Sequence, residues 1–179
     1  MRFEIRRRAL YVAIGAAVFF AAYSAGAAVQ MTPEEASQVR EEFSDQIADI
    51  DQNGIFLNNI RIALGMFVPG LGVGIGAFSG YATGSVFSAI AENEPALAGV
   101  PPQVILLTPF GIMEVFTYGL AMSRSGLLVY QFVKKKNWRE YAVPTLIELG
   151  IAAAVLFAGA VVEWWMIQEF GGLNLELAS

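Results

Sequence analysis

Five charged side chains interrupt the long apolar stretches of this 179-residue chain: Arg61, Glu114, Arg124, Glu148 and Glu163. A charge at bilayer depth costs on the order of 3 kcal/mol even on lenient insertion scales, so each is expected to be paired or to carry function. Arg124 falls about nine residues inside one end of its apolar block, and Glu148 about seven inside the facing end of the next. At roughly 1.5 Å per residue their depths nearly agree, and they are expected to pair. Arg61 is the remaining cation that could reach Glu114. Two chemistries follow. Glu114, with Asn58, Asn59 and Thr117 nearby, could form a proton or cation site; the structural alternative is a set of buried ion pairs that fix helix register. The second is favoured, because each carboxylate except Glu163 has an arginine partner within reach.

Other chemistries are excluded by composition. The chain has no Cys and no His, which removes disulfide frameworks, thiolate or imidazole metal centres, and every triad or dyad that needs imidazole. No Ser or Asp arrangement of catalytic spacing takes their place, so the expectation is a protein that is not an enzyme and holds no metal and no cofactor. The net charge is -5, and no basic stripe with interleaved aromatics is present, so nucleic acid is not an expected partner.

The elements that must position these groups are membrane helices. Hydrophobic residues make up 56% of the chain and charged residues only 15%, against about 25% charged in soluble domains. The fold class expected is an all-α polytopic bundle, one integral membrane domain over residues 1–179 with four to five passes. Residues 9–31 form the first crossing. Arg6, Arg7 and Arg8 followed by an apolar run resemble a cleaved signal, but the run is longer than the roughly 7 to 15 residues of a signal core. Residues 33–53 read as an outer amphipathic helix, with Thr32 as N-cap, Pro33 at the first helical position, Glu35 closing a capping box and Gly54 as terminator. Ala36, Val39, Phe43, Ile47 and Ile50 form its apolar stripe, and Glu34, Glu35, Glu41, Glu42, Asp45, Asp49 and Asp51 cover the remainder. That helix packs on its own bundle or docks a partner protein.

Residues 55–91 are too long for one ordinary crossing and are expected to break at Pro69-Gly70, giving arms at Ile55 to Val68 and Leu71 to Ile90. The first arm, of about 14 residues, either crosses or forms a re-entrant half-helix. In the second arm Gly72, Gly76, Gly80 and Gly84 recur every four residues and Ser88 continues the row. Such spacing puts one small-residue face on a helix and lets two backbones approach closely in lipid. Residues 103–133 and 141–168 complete the crossings. Lys134 to Lys136 with Arg139, and Arg6 to Arg8, are assigned to the cytoplasmic side, which places the N-terminus there and the acidic segments outside.

The stretches FLNNIRIALGMFVPGLGVGIG and TPFGIMEVFTYGLAMSRSGLLV resemble the stage II sporulation protein M family of multi-pass membrane proteins. The matching positions are Asn58, Asn59, Gly70 and Gly74, then Pro109, Gly111, Glu114, Gly126 and Leu127; Phe110 stands where the family pattern has His. The resemblance implies a non-enzymatic membrane scaffold, of the kind that in spore formers joins two cell-wall-degrading enzymes in an engulfment complex. The function expected is therefore a non-catalytic cell-membrane subunit that assembles a larger complex, packing through the Gly72 to Gly84 face against other membrane subunits or copies of itself. The alternative is a small transporter or ion channel using Glu114 and the broken helix.

Overall fold

Side-chain caps set three of the helix starts in the computed structural model, which describes residues 2–47, 50–93 and 99–171. Six α-helices follow in order: α1 Arg2–Ala27, α2 Pro33–Ile47, α3 Gln52–Met66, α4 Gly72–Asn93, α5 Pro109–Val133 and α6 Trp138–Gly171, with a 3-10 helix over Pro102–Leu107 ahead of α5. No strand occurs among the described residues. Asp49, most of the linker between α4 and the 3-10 helix, and the tail with Glu176 lie outside the described residues.

The capping box at the start of α2 forms in both directions. The Glu35 carboxylate accepts from the Thr32 backbone N–H at 2.8 Å, and the Thr32 hydroxyl accepts from the Glu35 N–H at 3.3 Å. The Thr32 N–H and, after it, the Thr32 hydroxyl, which also lies 3.1 Å from Glu35 Oε2, hold the exposed Glu35 carboxyl below the usual carboxylate range.

The expectation of one helix over 33–53 ended by Gly54 is corrected. Gly54 lies inside α3, whose N-cap is Asp51: its carboxylate accepts from the Gly54 N–H at 2.8 Å. A carboxylate three residues ahead of an amide satisfies one of the orphan donors of a helix start, so Asp51 begins a helix here instead of decorating one. The block expected at 103–133 likewise divides, because the Thr108 hydroxyl accepts from the Gly111 N–H at 3.1 Å and Pro109 occupies the first position of α5.

Between α3 and α4 the chain turns through residues 67–71, with Pro69 at the bend and Gly70 at φ +82, a backbone region closed to most side chains. This turn is tied to α5. The Ser125 hydroxyl accepts from the Gly70 and Gly72 N–H groups at 3.1 and 3.2 Å and donates to the Val68 carbonyl at 2.6 Å. One buried hydroxyl thus satisfies the Gly70 N–H and adds a second partner to the Gly72 N–H and the Val68 carbonyl, which already bond to each other across the turn at 3.1 Å.

The central helix is α5, which touches α1, α3, α4 and α6, while α2 packs on α4. Contacts between individual residues set the directions. Gly80 and Gly84 of α4 lie against Phe19 to Ala27 of α1 in the same order, so these two run parallel. Gly15 lies on Gly119 and Arg8 on Ser123, so α5 runs opposite to α1. The core holds Tyr23, Met66, Met122 and Leu156, all fully buried, with the Phe19 and Tyr118 rings 5.0 Å apart. The Tyr23 hydroxyl is spent on the Pro102 carbonyl at 2.8 Å.

Large apolar side chains cover the outside, among them Leu10, Phe78, Ile112, Leu146 and Phe157, as suits lipid rather than water. Three helices are long and apolar enough to cross a membrane: α1 over Ile5–Ala27, α4 over Gly72–Ala91 and α6 over Arg139–Glu169. The polar residues of α5 are turned inward instead. Thr117, Arg124 and Ser125 are all buried, on the side of α5 that the other helices cover, while Ile112 and Phe116 of the same helix stay exposed.

Candidate functional site

Two polar centres lie in the bundle. The first joins α1, α5 and α6. Glu148 receives two guanidinium groups on one carboxylate: Arg124 donates through Nε to Oε2 at 2.8 Å and through Nη2 to Oε1, and Arg8 donates through Nε to Oε1 at 2.7 Å and through Nη2 to Oε2. Arg8 spends further donors on the Ser123 hydroxyl at 2.7 Å and the Leu120 carbonyl at 3.1 Å. Fork-to-fork geometry of this kind matches the planar guanidinium to the carboxylate. The expected Arg124–Glu148 pair is present. Arg8, which sequence reasoning grouped with the flanking basic residues, is its third member. A long side chain at the end of an apolar run can fold back along the helix, and that reach is the only signal the sequence offered.

The second centre lies toward the opposite end of the bundle. Asn59 of α3 donates from Nδ2 to Glu114 Oε1 of α5 at 2.6 Å, and the exposed Asn58 donates to Asn59 Oδ1 at 3.4 Å. Glu114 and Glu163 line one cavity of about 230 Å³, together with Asn58, Asn59 and the rings of Phe19, Phe87 and Phe110. Phe43 of α2 stands at the same cavity, its ring 6.5 Å from that of Phe87. The Oε2 atom of Glu163 is enclosed and has no hydrogen-bond partner among the described residues.

Two expectations about this centre are corrected. Arg61 is exposed and forms no ion pair with Glu114 among the described residues. The reason is helical phase: Asn59 faces Glu114, and two residues further along a helix points roughly 200° away. Thr117 is buried, but its hydroxyl donates to the Met113 carbonyl of its own helix at 2.8 Å and not to Glu114. Glu163, left without a partner by sequence reasoning, shares the cavity instead.

The glycine row packs within the chain. A Cβ added at Gly80 would lie 2.9 Å from the Phe19 carbonyl oxygen, and one at Gly84 would lie 2.9 Å from the Ala27 nitrogen. Gly72 faces Ser125 and Gly76 faces Met122, while Ser88 is buried. The face expected to meet other subunits is therefore covered by α1 and α5 of the same chain. Reciprocal close approaches at Gly26 against Tyr81 and at Gly15 against Gly119 extend the pattern.

On α2, Ala36 is buried, Val39 and Phe43 are half-buried, and Glu34, Glu35, Glu41, Glu42 and Asp45 are exposed. The stripe at Ala36, Val39 and Phe43 faces the bundle, where α2 packs on α4, and the acidic face points away from it; the Ile47 side chain lies outside the described residues, and Ile50, beyond the end of α2, lies beside Gly54 of α3.

Compared with known proteins, the chain matches a family model described as "Stage II sporulation protein M" over residues 9–166. No curated protein and no solved structure matches it.

Proposed function

We propose that this chain, which belongs to the stage II sporulation protein M family, is a non-catalytic membrane subunit that gathers other proteins at the bilayer. The observation carrying this reading is the exposed acidic face of α2, displayed beside the membrane helices on a mount made by Ala36 and Phe43. A helix with one apolar stripe and a dense single-sign face is suited to electrostatic recognition of a basic partner surface. Because the glycine row is occupied by α1 and α5, assembly in this reading runs through α2 and not through that row.

Topology follows in the same reading. α1 and α5 run in opposite directions, and α3 with α4 forms a hairpin whose open ends face the α2 side. Arg6 to Arg8 and Lys134 to Lys136 then share the cytoplasmic side, whether or not the turn at Pro69-Gly70 reaches it. The result is five membrane-embedded segments. The chain lacks cysteine, so single substitutions report cleanly: Lys135→Cys should react with an impermeant maleimide only after the membrane is opened, and Ser37→Cys should react in intact cells.

The test of the scaffold reading is purification of the intact protein in mild detergent. Stoichiometric foreign subunits, lost when Glu34, Glu41, Glu42 and Asp45 are changed to Lys, would support it; a pure homo-oligomer that is indifferent to those changes would refute it. A second reading, a small transporter or channel, is favoured by one observation, the cavity that holds Glu114 and Glu163. Ion flux in proteoliposomes that disappears with Glu114→Gln would favour it over the scaffold.

A further inference from the structure

We infer that the cavity between α3, α4, α5 and α6 is a binding site for a small primary ammonium ion with an apolar tail. This goes beyond the scaffold reading and does not depend on it. The argument begins with charge. Glu114 and Glu163 line the cavity, and its lining holds no Lys or Arg. Arg61, between the lining residues Asn59 and Ile62, is exposed and forms no ion pair with either acid among the described residues, and Arg8 with Arg124 is already committed to Glu148.

Hydrogen bonding points the same way. Glu114 receives one donor, the Asn59 amide at 2.6 Å, on Oε1, and the enclosed Oε2 of Glu163 receives none among the described residues. A carboxylate offers about four acceptor positions. Acceptors left empty away from water cost several kcal/mol, so the cavity calls for an occupant that donates several bonds and carries positive charge. A primary ammonium has three donors and no acceptor.

The walls select the remainder of the ligand. Phe19, Phe43, Phe87 and Phe110 line the cavity beside Ile62 and Tyr118, surfaces suited to an alkyl chain and to the face of a cation. A hard metal ion would want six or more oxygen ligands at short range; the lining brings only two carboxylates, and no group of three or more acidic side chains able to hold a metal occurs among the described residues. At the roughly 30 Å³ that a water occupies in the liquid, the cavity has room for about seven or eight non-hydrogen atoms, enough for the chain and nitrogen of a pentyl or hexyl amine. Asn58 and Ile167 also line the cavity and are exposed, so it reaches the surface.

The experiment is isothermal titration of the full chain in detergent with pentylammonium, with 1-pentanol as the uncharged control of equal length and sodium as the inorganic one. Saturable binding of pentylammonium, no saturable binding of pentanol, and no displacement by a tenfold excess of sodium are expected. Glu163→Gln and Glu114→Gln, each checked for an unchanged elution profile and circular dichroism, should weaken the amine at least tenfold. Equal behaviour of amine and alcohol would overturn the inference and needs no variant. So would displacement by sodium, which would mark an inorganic cation site, or amine binding untouched in a folded Glu163→Gln protein.

Discussion

Gly84 and Gly74 lie on the same helix, and replacing each with alanine should have opposite effects. A Cβ at Gly74 meets nothing within 4 Å, whereas one at Gly84 lies 2.9 Å from the Ala27 nitrogen and from the Tyr23 carbonyl carbon, and nearer still to the Tyr23 oxygen. An ordinary contact to carbon is roughly 3.5 to 4.0 Å, so α1 must retreat by more than half an ångström. The obstacles are backbone atoms, which cannot rotate aside as a side chain can. Helix propensity favours alanine over glycine by about 1 kcal/mol at either position. Overpacking costs about 1 to 3 kcal/mol, and with backbone on the far side the upper end applies at Gly84. The balance is about 1 kcal/mol of stabilisation for Gly74→Ala and about 2 kcal/mol of destabilisation for Gly84→Ala. At roughly 2 to 4 °C per kcal/mol for a chain of this size, the two variants should melt about 6 to 12 °C apart when followed by tryptophan fluorescence in one detergent. Equal melting temperatures would mean that α1 and α4 do not meet at this face. Gly80→Ala, with its Cβ 2.9 Å from the Phe19 oxygen but 3.3 Å from its other neighbours, should fall between them.

Glu148→Gln leaves the Arg8 and Arg124 guanidiniums facing each other without a carboxylate and should cost on the order of 3 kcal/mol. Arg8→Gln, which leaves the Arg124–Glu148 pair in place, should cost about a third of that, and thermal melts in detergent should preserve this order. Ser125→Ala orphans the Gly70 N–H of the α3–α4 turn and removes a second partner from the Gly72 N–H and the Val68 carbonyl, which stay bonded to each other; at about 1 kcal/mol or more for an orphaned group, the loss should be about 1 to 2 kcal/mol, with amide exchange quickened more at Gly70 than at Gly72. The Gly54 N–H, and after it the Asn53 side chain, hold the Asp51 carboxyl below its usual range. A depressed folded value means that the cap contributes fully above the ordinary carboxylate pKa of about 4 and is lost as pH falls through the folded value. Protection of the Gly54 amide, corrected for intrinsic exchange, should therefore be present at neutral pH and lost in strong acid, and absent at both in Asp51→Ala; protection unchanged by either would refute the cap.

Spacing rules recovered what a single helix can encode. The period of four along Gly72 to Gly84 depends only on helical geometry, and so does the acidic face of α2, which is why both were legible. The Arg124–Glu148 pair was found by equating depths in two adjacent apolar blocks joined by a short basic loop, where the register has little freedom. Arg61 was misassigned because depth alone carries no phase: it lies close in sequence to Asn59 but on the other side of α3. Ser125 and Arg8 escaped for a related reason. Their roles depend on contacts across more than fifty and more than a hundred residues, and nothing in their neighbours announces which turn or which carboxylate they will meet. Asp51 was legible as an acid but was read as surface charge, because the helix it begins carries its own apolar signal only from Ile55 onward.

The two polar centres differ in a way that separates architecture from chemistry. At Arg8, Arg124 and Glu148 the acceptors are filled, with two forks on one carboxylate and the surplus donors of Arg8 spent on Ser123 and Leu120. A network so closed holds three helices in register and has nothing left to offer a ligand. At Glu114 and Glu163 the count runs the other way: two carboxylates, one amide donor on Glu114, one enclosed oxygen without a partner among the described residues, and a cavity beside them. Selection for stability alone would fill that space with a side chain or replace the acids with apolar residues, since burying unmatched acceptors is costly in lipid. The cost is sustained at one end of the bundle and avoided at the other. That asymmetry assigns the register of α1, α5 and α6 to the first centre and an exchangeable positive charge to the second.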